Sequence, residues 1–542
     1  MKAVGSVQGV ARARDRSLPR GDRLAGGGAT PPLQATQSGA QPPSAPPPRR
    51  WWVLAVLCVP LLVISLDNTV LNVALPTLVR KLHATTEQLQ WIVDAYALVF
   101  GGLMLVAGSL ADRVGRRHTF IAGLLVFAAG SGWAAASGSV QMLIAARAGM
   151  GVGAALIMPS TLAVITNTFA DAAERQRALG FWSGTSGAGI ALGPIVGGLL
   201  LAHFWWGSVF LVNVPIALLG ALVALPIVPD SRDPAVERTD FAGSLLSIVG
   251  VGMLLWAIIE APVRGWSSAV VIGAGAGALV LLAAFVVWER RSTHPMLNLH
   301  YFAERGFSAG VLSNGLLAFG LFGSLFVLTQ MLQFQLGYTP LQAGVRVLPA
   351  AGAIAVAAPL SSLLVRAAGT RLAVGAGLLT AAAGLWLVSG ASVTSTYGDI
   401  VPGMVLIGAG AGLALPSATG AVMGSLPSAH TGVGAATNGS FMQVGGALGV
   451  AVVGSLLSTR YEHHIDAAIA PYHVPSAIAE TIRGSLGSAL EVAHRIGGLT
   501  GEALMHAAHT AFISGTSLGL GVAAIVVLAG ALLALAALPG QR

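Results

Sequence analysis

Four ionisable side chains interrupt the apolar runs of this sequence: Asp67, Asp94, Arg147 and Glu260. A charge at the centre of a lipid-facing helix costs roughly 2.5–3.5 kcal/mol on insertion scales, so each belongs against protein or an aqueous gap. A carboxylate drawn out of water holds a proton more tightly, and a nearby carboxylate adds to the effect on one of the pair. Such a group takes up a proton in one conformation and releases it in another, and a cation competing for the same charge couples the two events. Arg147 is the counter-charge whose approach and withdrawal would alter the proton affinity of Asp67. The plainer alternatives are architectural: Asp67 hydrogen-bonded to Asn and Thr neighbours, and Arg147 on backbone carbonyls. Asn68 and Asn72 lie four apart, one helical turn on one face, with Asp67 beside that face. Asp67 and Asp94 are expected to face one cavity, and Glu260 to sit at its outer mouth or at the interface.

The elements that must position these groups are membrane helices. The chain has 542 residues, of which 55% are hydrophobic and 9% charged, with a mean hydropathy of +0.77. Soluble proteins carry about 25% charge. The apolar runs are long and continuous, unlike the short alternating segments of a membrane β-barrel. Glycine, 71 residues without a collagen period, suits closely packed helices. Cys58 is the single cysteine, which excludes an intramolecular disulfide and a cysteine-rich metal site. Fourteen spans are predicted, at 51–76, 89–110, 119–137, 141–165, 179–201, 208–228, 240–260, 269–288, 307–329, 343–365, 372–391, 398–421, 434–456 and 511–537.

The net charge of +8 is distributed in a way that argues against nucleic acid, since the basic residues fall in the tail and in alternate short loops. With the N-terminus inside, 21 Lys and Arg lie on the inner side and 7 on the outer, so both termini are predicted cytoplasmic in a multi-pass plasma-membrane protein. Residues 1–48, rich in Pro, Gly, Ser and Arg, read as a disordered cytoplasmic tail. Residues 457–510 form the one long outward loop, with helical segments expected at Ser476–Glu480 and Leu486–Ile496. Its six histidines, including His463, His464 and His473, are read as solvated rather than as a metal site. No G-x-x-x-x-G-K-S/T stretch is present, so energy is expected from an ion or substrate gradient rather than from ATP.

Between the second and third spans lies GSLADRVGRRHTF, a very short turn holding Gly108, Asp112, Arg113, Gly115, Arg116 and Arg117. Glycine permits the tight reversal, and Asp112 can take a charge-assisted bond from an Arg. This stretch resembles the signature loop of the major facilitator superfamily. A second signature is matched at Arg147, Gly151, Gly153, Ala154 and Ala155, with Met150 where the family often has Gln. GAGIALGPIVGG resembles the antiporter signature and supplies Gly189, Gly193, Pro194, Gly197 and Gly198. The stretch LDNTVLNVALP is similar to the first-helix motif of the fourteen-helix drug:proton antiporter branch. FWWGSVFLVNVPIA resembles that branch's sixth-helix segment, aligned on Trp206, Phe210, Asn213 and Pro215, with Gly207 at the usual Arg. LVRAAGTR at 364–371 looks like a degenerate copy of the first loop, with Leu364, Gly369 and Arg371 matching.

The resemblance implies an all-α polytopic membrane protein of the major facilitator fold. Two six-helix bundles, 49–228 and 291–542, are expected to flank two inserted helices at 229–290. It further implies a proton-coupled antiporter, not an enzyme, that exports lipophilic cationic drugs by alternating access, with Asp67, Asp94 and Arg147 in proton coupling. Gly189, Gly193 and Gly197 recur every four residues and form one bare helical face for sealing or packing. Residues of amide, acidic or aromatic character are candidates to line the cavity: Asn68, Asn72, Trp91, Tyr96, Glu260, Asn314, Gln330 and Gln333. No cofactor or metal is expected; the partners are small lipophilic molecules, protons and membrane lipid, with a monomeric chain. The nearest alternative on the same fold is a narrow exporter or importer of one metabolite.

Overall fold

The computed structural model describes residues 50–539 apart from 170, 233–239, 293–294, 296, 298, 427–430 and 473. The tail at 1–48 and His473 therefore lie outside the described residues. Fourteen helices are long and apolar enough to span a membrane, and there is no strand among the described residues. In chain order they begin with α1 (Arg50–Leu82), α2 (Thr86–Val114), α3 (Arg116–Ala135), α4 (Val140–Thr168) and α5 (Ala172–His203). The sixth span is broken into α6 (Ser208–Leu211) and α7 (Asn213–Ile227). Pro215 accounts for the break, because its ring clashes with the carbonyl four residues back and it has no N–H to donate. α8 (Phe241–Arg264) and α9 (Ala269–Arg291) follow. Next come α10 (Arg305–Gln330), prolonged by a π-turn over Met331–Gln335, α11 (Pro340–Ala368), α12 (Thr370–Ser389) and α13 (Tyr397–Gly424). α14 (Thr431–Ile469), two short helices α15 (Ser476–Gly484) and α16 (Leu486–Ile496), and α17 (Gly498–Ala537) complete the chain.

The loop predicted at 457–510 is shorter than expected. α14 and α17 continue past their apolar cores, and only the segment around α15 and α16 remains outside them. This segment packs across one end of the molecule, here termed the lid face; the opposite end, with the α2–α3 turn, is the loop face.

Helices α1–α7 pack on one another, as do α10–α14 with α17, while α9 packs on α8 and α8 lies on both α2 and α14. The two groups echo each other locally. α2 and α11 each start with a capping box, Thr85 with Gln88 and Thr339 with Gln342, and end at a glycine with positive φ. Those glycines are Gly115 (φ 121°) and Gly369 (φ 85°), which the two loop copies place at matching positions. A residue with a Cβ is strained at such a φ, so here the glycine itself makes the turn.

The groups meet along α2–α14 and α5–α11. Gln90 donates to the carbonyls of Val450 (3.2 Å) and Ala451 (2.9 Å), and Ser440 to that of Gly101 (2.8 Å). Gln333 donates to the Val73 carbonyl at 2.9 Å. Gly198 abuts Leu341, and Gly344 abuts the Pro194 carbonyl. Apart from the Ser440–Gly101 contact, which lies near the middle of α2, these contacts lie toward the lid face. Toward the loop face α5 instead borders a wide-open hollow of about 470 Å³ beside Arg177, Gly180, Phe181, Gly184, Thr185 and Ala188, all on that one helix.

Gly189, Gly193 and Gly197 all press on α1, at Ser65, Thr69 and Val70 respectively. A side chain at Gly193 would overlap the Thr69 hydroxyl. Overpacking of this kind costs about 1–3 kcal/mol. Gly193→Leu should therefore lower the melting temperature of the purified protein and abolish transport; an unchanged melting curve with normal transport would contradict this packing.

Candidate functional site

Asp67 is 2% exposed and Arg147 1%, and they form an ion pair, Arg147 Nη1 to Asp67 Oδ2 at 2.5 Å. The second carboxylate oxygen accepts from Asn213 Nδ2 at 3.0 Å. Arg147 also donates its Nε to the Ile92 carbonyl at 3.2 Å and lies over the Tyr96 ring, 4.3 Å from its centroid. α1, α2, α4 and α7 thus converge on one buried charge pair. An ion pair this deep survives only with good geometry and with its remaining donors and acceptors occupied. Met150, at the position where the family often has Gln, places its sulfur 3.9 Å from Arg147 Nη1.

Asp94 is fully buried, and neither carboxylate oxygen has a hydrogen-bond partner among the described residues. It borders a water-sized cavity of about 20 Å³ between α2, α10 and α14, together with Asn68, Arg147, Phe322, Gln443 and Gly446. Of the two carboxylates expected to face one cavity, Asp94 lines this one and Asp67 does not. Asp94 borders the seam between the helix groups, whereas Asp67 is not among the residues around this cavity and is held within the first group. Arg147 touches both environments.

The other candidates divide. Asn68 reaches the cavity and donates to the Ile64 carbonyl (3.1 Å), while Asn72 donates to the Asn68 carbonyl (2.9 Å). Trp91, expected in the cavity, packs instead against an apolar cluster of Ala97, Leu255, Ile259, Ala447 and Ala451, where α2, α8 and α14 meet. Tyr96 is a cover for Arg147 rather than a cavity wall. Glu260 is paired within its own helix to Arg264 at 2.6 Å, near the lid face. Asn314 donates to Asn438 (2.8 Å) and Thr419 (3.1 Å), tying α10 to α14 and α13. Gln330 donates back to the Phe326 carbonyl (3.0 Å), and Gln333 bridges to α1 as described. Gln443 and Phe322 reach the Asp94 cavity and were absent from the candidates. Asn213 was only an alignment landmark, although an amide inside an apolar span was a signal in its own right.

At the loop face Arg116 holds Asp112 (2.8 Å) and reaches the Ala163 carbonyl on α4 (3.4 Å). Arg117 donates to the Leu225 carbonyl on α7 (3.3 Å), whereas Arg113 is exposed. Gly108 faces Pro159, and Gly115 abuts Asp230 and Arg232 after α7. Asp112→Asn removes the charge that orients Arg116, so the maximal transport rate should fall several-fold while half-saturation changes little. Substrate-saturation curves in vesicles check this, and parental kinetics would refute it.

Residues 57–450 match the Major Facilitator Superfamily. The chain is 37% identical over 484 residues to the multidrug efflux pump LfrA of Mycolicibacterium smegmatis, covering 88% of this chain and 94% of that protein. It is 34% identical to the tetracenomycin C resistance and export protein of Streptomyces glaucescens, covering 89% and 90% of the two chains. The methyl viologen resistance protein SmvA of Salmonella typhimurium is 32% identical, with 86% and 93% covered. Among solved structures, a bacterial homologue of the human lysosomal transporter Spinster, inward-facing and unoccupied, superposes with a TM-score of 0.61 at 17% identity, covering 92% of this chain and all of that one. With the fourteen apolar helices and the charge pair buried among them, these likenesses identify a multi-pass membrane transport protein, not an enzyme, and the chain belongs to the major facilitator superfamily.

Proposed function

We propose that the protein is a drug:proton antiporter of the plasma membrane, a monomer with both termini cytoplasmic, exporting lipophilic cations by alternating access. Relatives named for multidrug efflux and for methyl viologen resistance support the substrate class. The excess of Lys and Arg on the loop face supports that face as cytoplasmic. The conformation is then closed to the outside by the lid face and open to the inside along α5.

One observation carries the reading: Asp94 is buried without a partner beside Arg147, whose other side holds Asp67. An unpaired ionised carboxylate at that depth is costly, so in this conformation Asp94 carries the proton. Release to the cytoplasm leaves a negative charge that a lipophilic cation can neutralise, and a proton arriving from outside displaces that cation. Asn68, Gln443 and Phe322 line the water-sized space beside Asp94 and offer amide and aromatic surfaces to such a ligand once the helix groups part to admit it. The Asp67–Arg147 pair responds because Arg147 can follow the charge on Asp94. The energy source is the proton gradient, and the residues require no cofactor for this chemistry.

Uptake into inside-out vesicles under an imposed pH gradient tests the proposal, over a panel of lipophilic cations, neutral drugs and amino acids. Saturable, gradient-driven accumulation of unrelated cations is expected, reduced at least tenfold by Asp94→Asn. Uptake of a single metabolite, or an unaffected Asp94→Asn variant, would overturn it.

A further inference from the structure

Asn213 opens α7 directly after the break that Pro215 imposes, and its side chain is 1% exposed. Its Nδ2 donates to Asp67 Oδ1 at 3.0 Å, and its Oδ1 has no hydrogen-bond partner among the described residues. The reverse orientation of the amide would set its carbonyl oxygen against a carboxylate oxygen, so the electrostatics select the donor orientation. An apolar side chain of similar size would spare the amide's own unpaired carbonyl but leave Asp67 Oδ1, an oxygen of a buried carboxylate, without a donor, which costs more. The amide serves one partner, Asp67.

Asp67 is thereby gripped from two sides by different chemistry. The cation on Oδ2 belongs to α4 and also borders the cavity of Asp94; the neutral amide on Oδ1 belongs to α7 and does not. Were Arg147 the sole partner, its departure toward Asp94 would leave a buried charge with nothing to hold it.

We propose that Asn213 is a positioning residue for transport: it keeps the Asp67 carboxylate fixed and hydrogen-bonded while Arg147 moves between Asp67 and the Asp94 cavity. This rests on the coupling role given to Arg147 and the two acids above. The amide makes the withdrawal of Arg147 reversible, because Asp67 stays aimed at the place to which the guanidinium returns.

The test uses the full chain in inside-out vesicles with radiolabelled tetraphenylphosphonium, measuring both pH-gradient-driven accumulation and gradient-free counterflow. Asn213→Leu, which keeps the branched shape and removes the donor, should lower driven accumulation at least tenfold and leave counterflow within about threefold. Asn213→Asp and Asp67→Asn should each abolish driven accumulation. The exchange Asp67→Asn with Asn213→Asp restores one carboxylate and one amide in contact and should recover a measurable part of it. Full driven accumulation by Asn213→Leu, or an exchange variant as inactive as its parents, overturns the role of Asn213. Normal driven accumulation by Asp67→Asn, or none by the parental protein, overturns instead the coupling reading beneath it.

Discussion

Oxidation of a Thr85→Cys, Gly484→Cys pair should arrest transport more than tenfold, and reduction should restore it. A Cβ at Gly484 would lie 4.0 Å from Thr85 Cβ, inside the range of about 3.5–4.5 Å found in disulfides. The site joins elements that outward opening must part. Thr86 Oγ1 donates to the Gly484 carbonyl at 3.2 Å, linking the start of α2 to the end of α15. Gly487 on α16 is wedged between Phe334 beyond α10 and Val79 on α1, where even a methyl group would be crowded. Tyr461 on α14 donates to the Ile482 carbonyl at 3.0 Å and fixes α15 to the second group of helices. The lid is thus anchored to one group and rests on the other, and alternating access requires the resting contact to break. Cys58, the one native thiol, is replaced by Ser in the background. Thr85 also caps α2, and losing a cap costs about 1 kcal/mol, so the single Thr85→Cys variant sets the reference rate. Transport by the fully cross-linked protein at that reference rate would show that the lid need not leave α2.

Hydropathy located every span, because the bilayer imposes a minimum apolar length that the chain cannot disguise. It did not locate where α14 ends and α17 begins. Beyond the hydrocarbon region a helix persists through its own hydrogen bonds, and α14 runs on through Tyr461 and Ile465, which are buried against the lid rather than in lipid. The glycines at 189, 193 and 197 were legible as one face because a period of four admits no other reading in a helix. Burial of Asp67, Asp94 and Arg147 was legible too, since lipid rejects them. Their partners were not. Whether a side chain two turns along faces α8, α14 or its own bundle depends on the rotation of the helix about its axis, which small residues on neighbouring helices fix. Trp91 shows this: it shares α2 with Asp94, three residues away, yet it packs into the apolar cluster where α8 joins α2 and α14, while Asp94 borders the small cavity beside Gln443 and Phe322. Glu260 shows the opposite failure, because its spacing of four from Arg264 already offered an ion pair within the helix.

Arg147→Ala should be the most damaging single substitution in the first group of helices, in stability as well as in transport. It strands the Asp67 carboxylate, 2% exposed, with Asn213 as its remaining partner, and removes the side-chain donor from the Ile92 carbonyl. Breaking a buried ion pair by removing one partner costs about 3–5 kcal/mol, because the charge left behind is neither solvated nor neutralised. The purified variant should melt at a markedly lower temperature and accumulate no cation under a pH gradient. Asp67→Asn combined with Arg147→Ala separates the two effects: the buried charge is gone, so much of the lost stability should return, yet gradient-driven transport should remain absent. The two single variants and the double form a cycle in which the contacting pair is expected to be non-additive. Recovery of driven transport together with stability in the double variant would make the pair an architectural tie and leave Asp94 as the sole coupling group. Recovery of stability alone places the Asp67–Arg147 pair in the proton cycle, since the fold then tolerates the absence of both charges and the gradient does not.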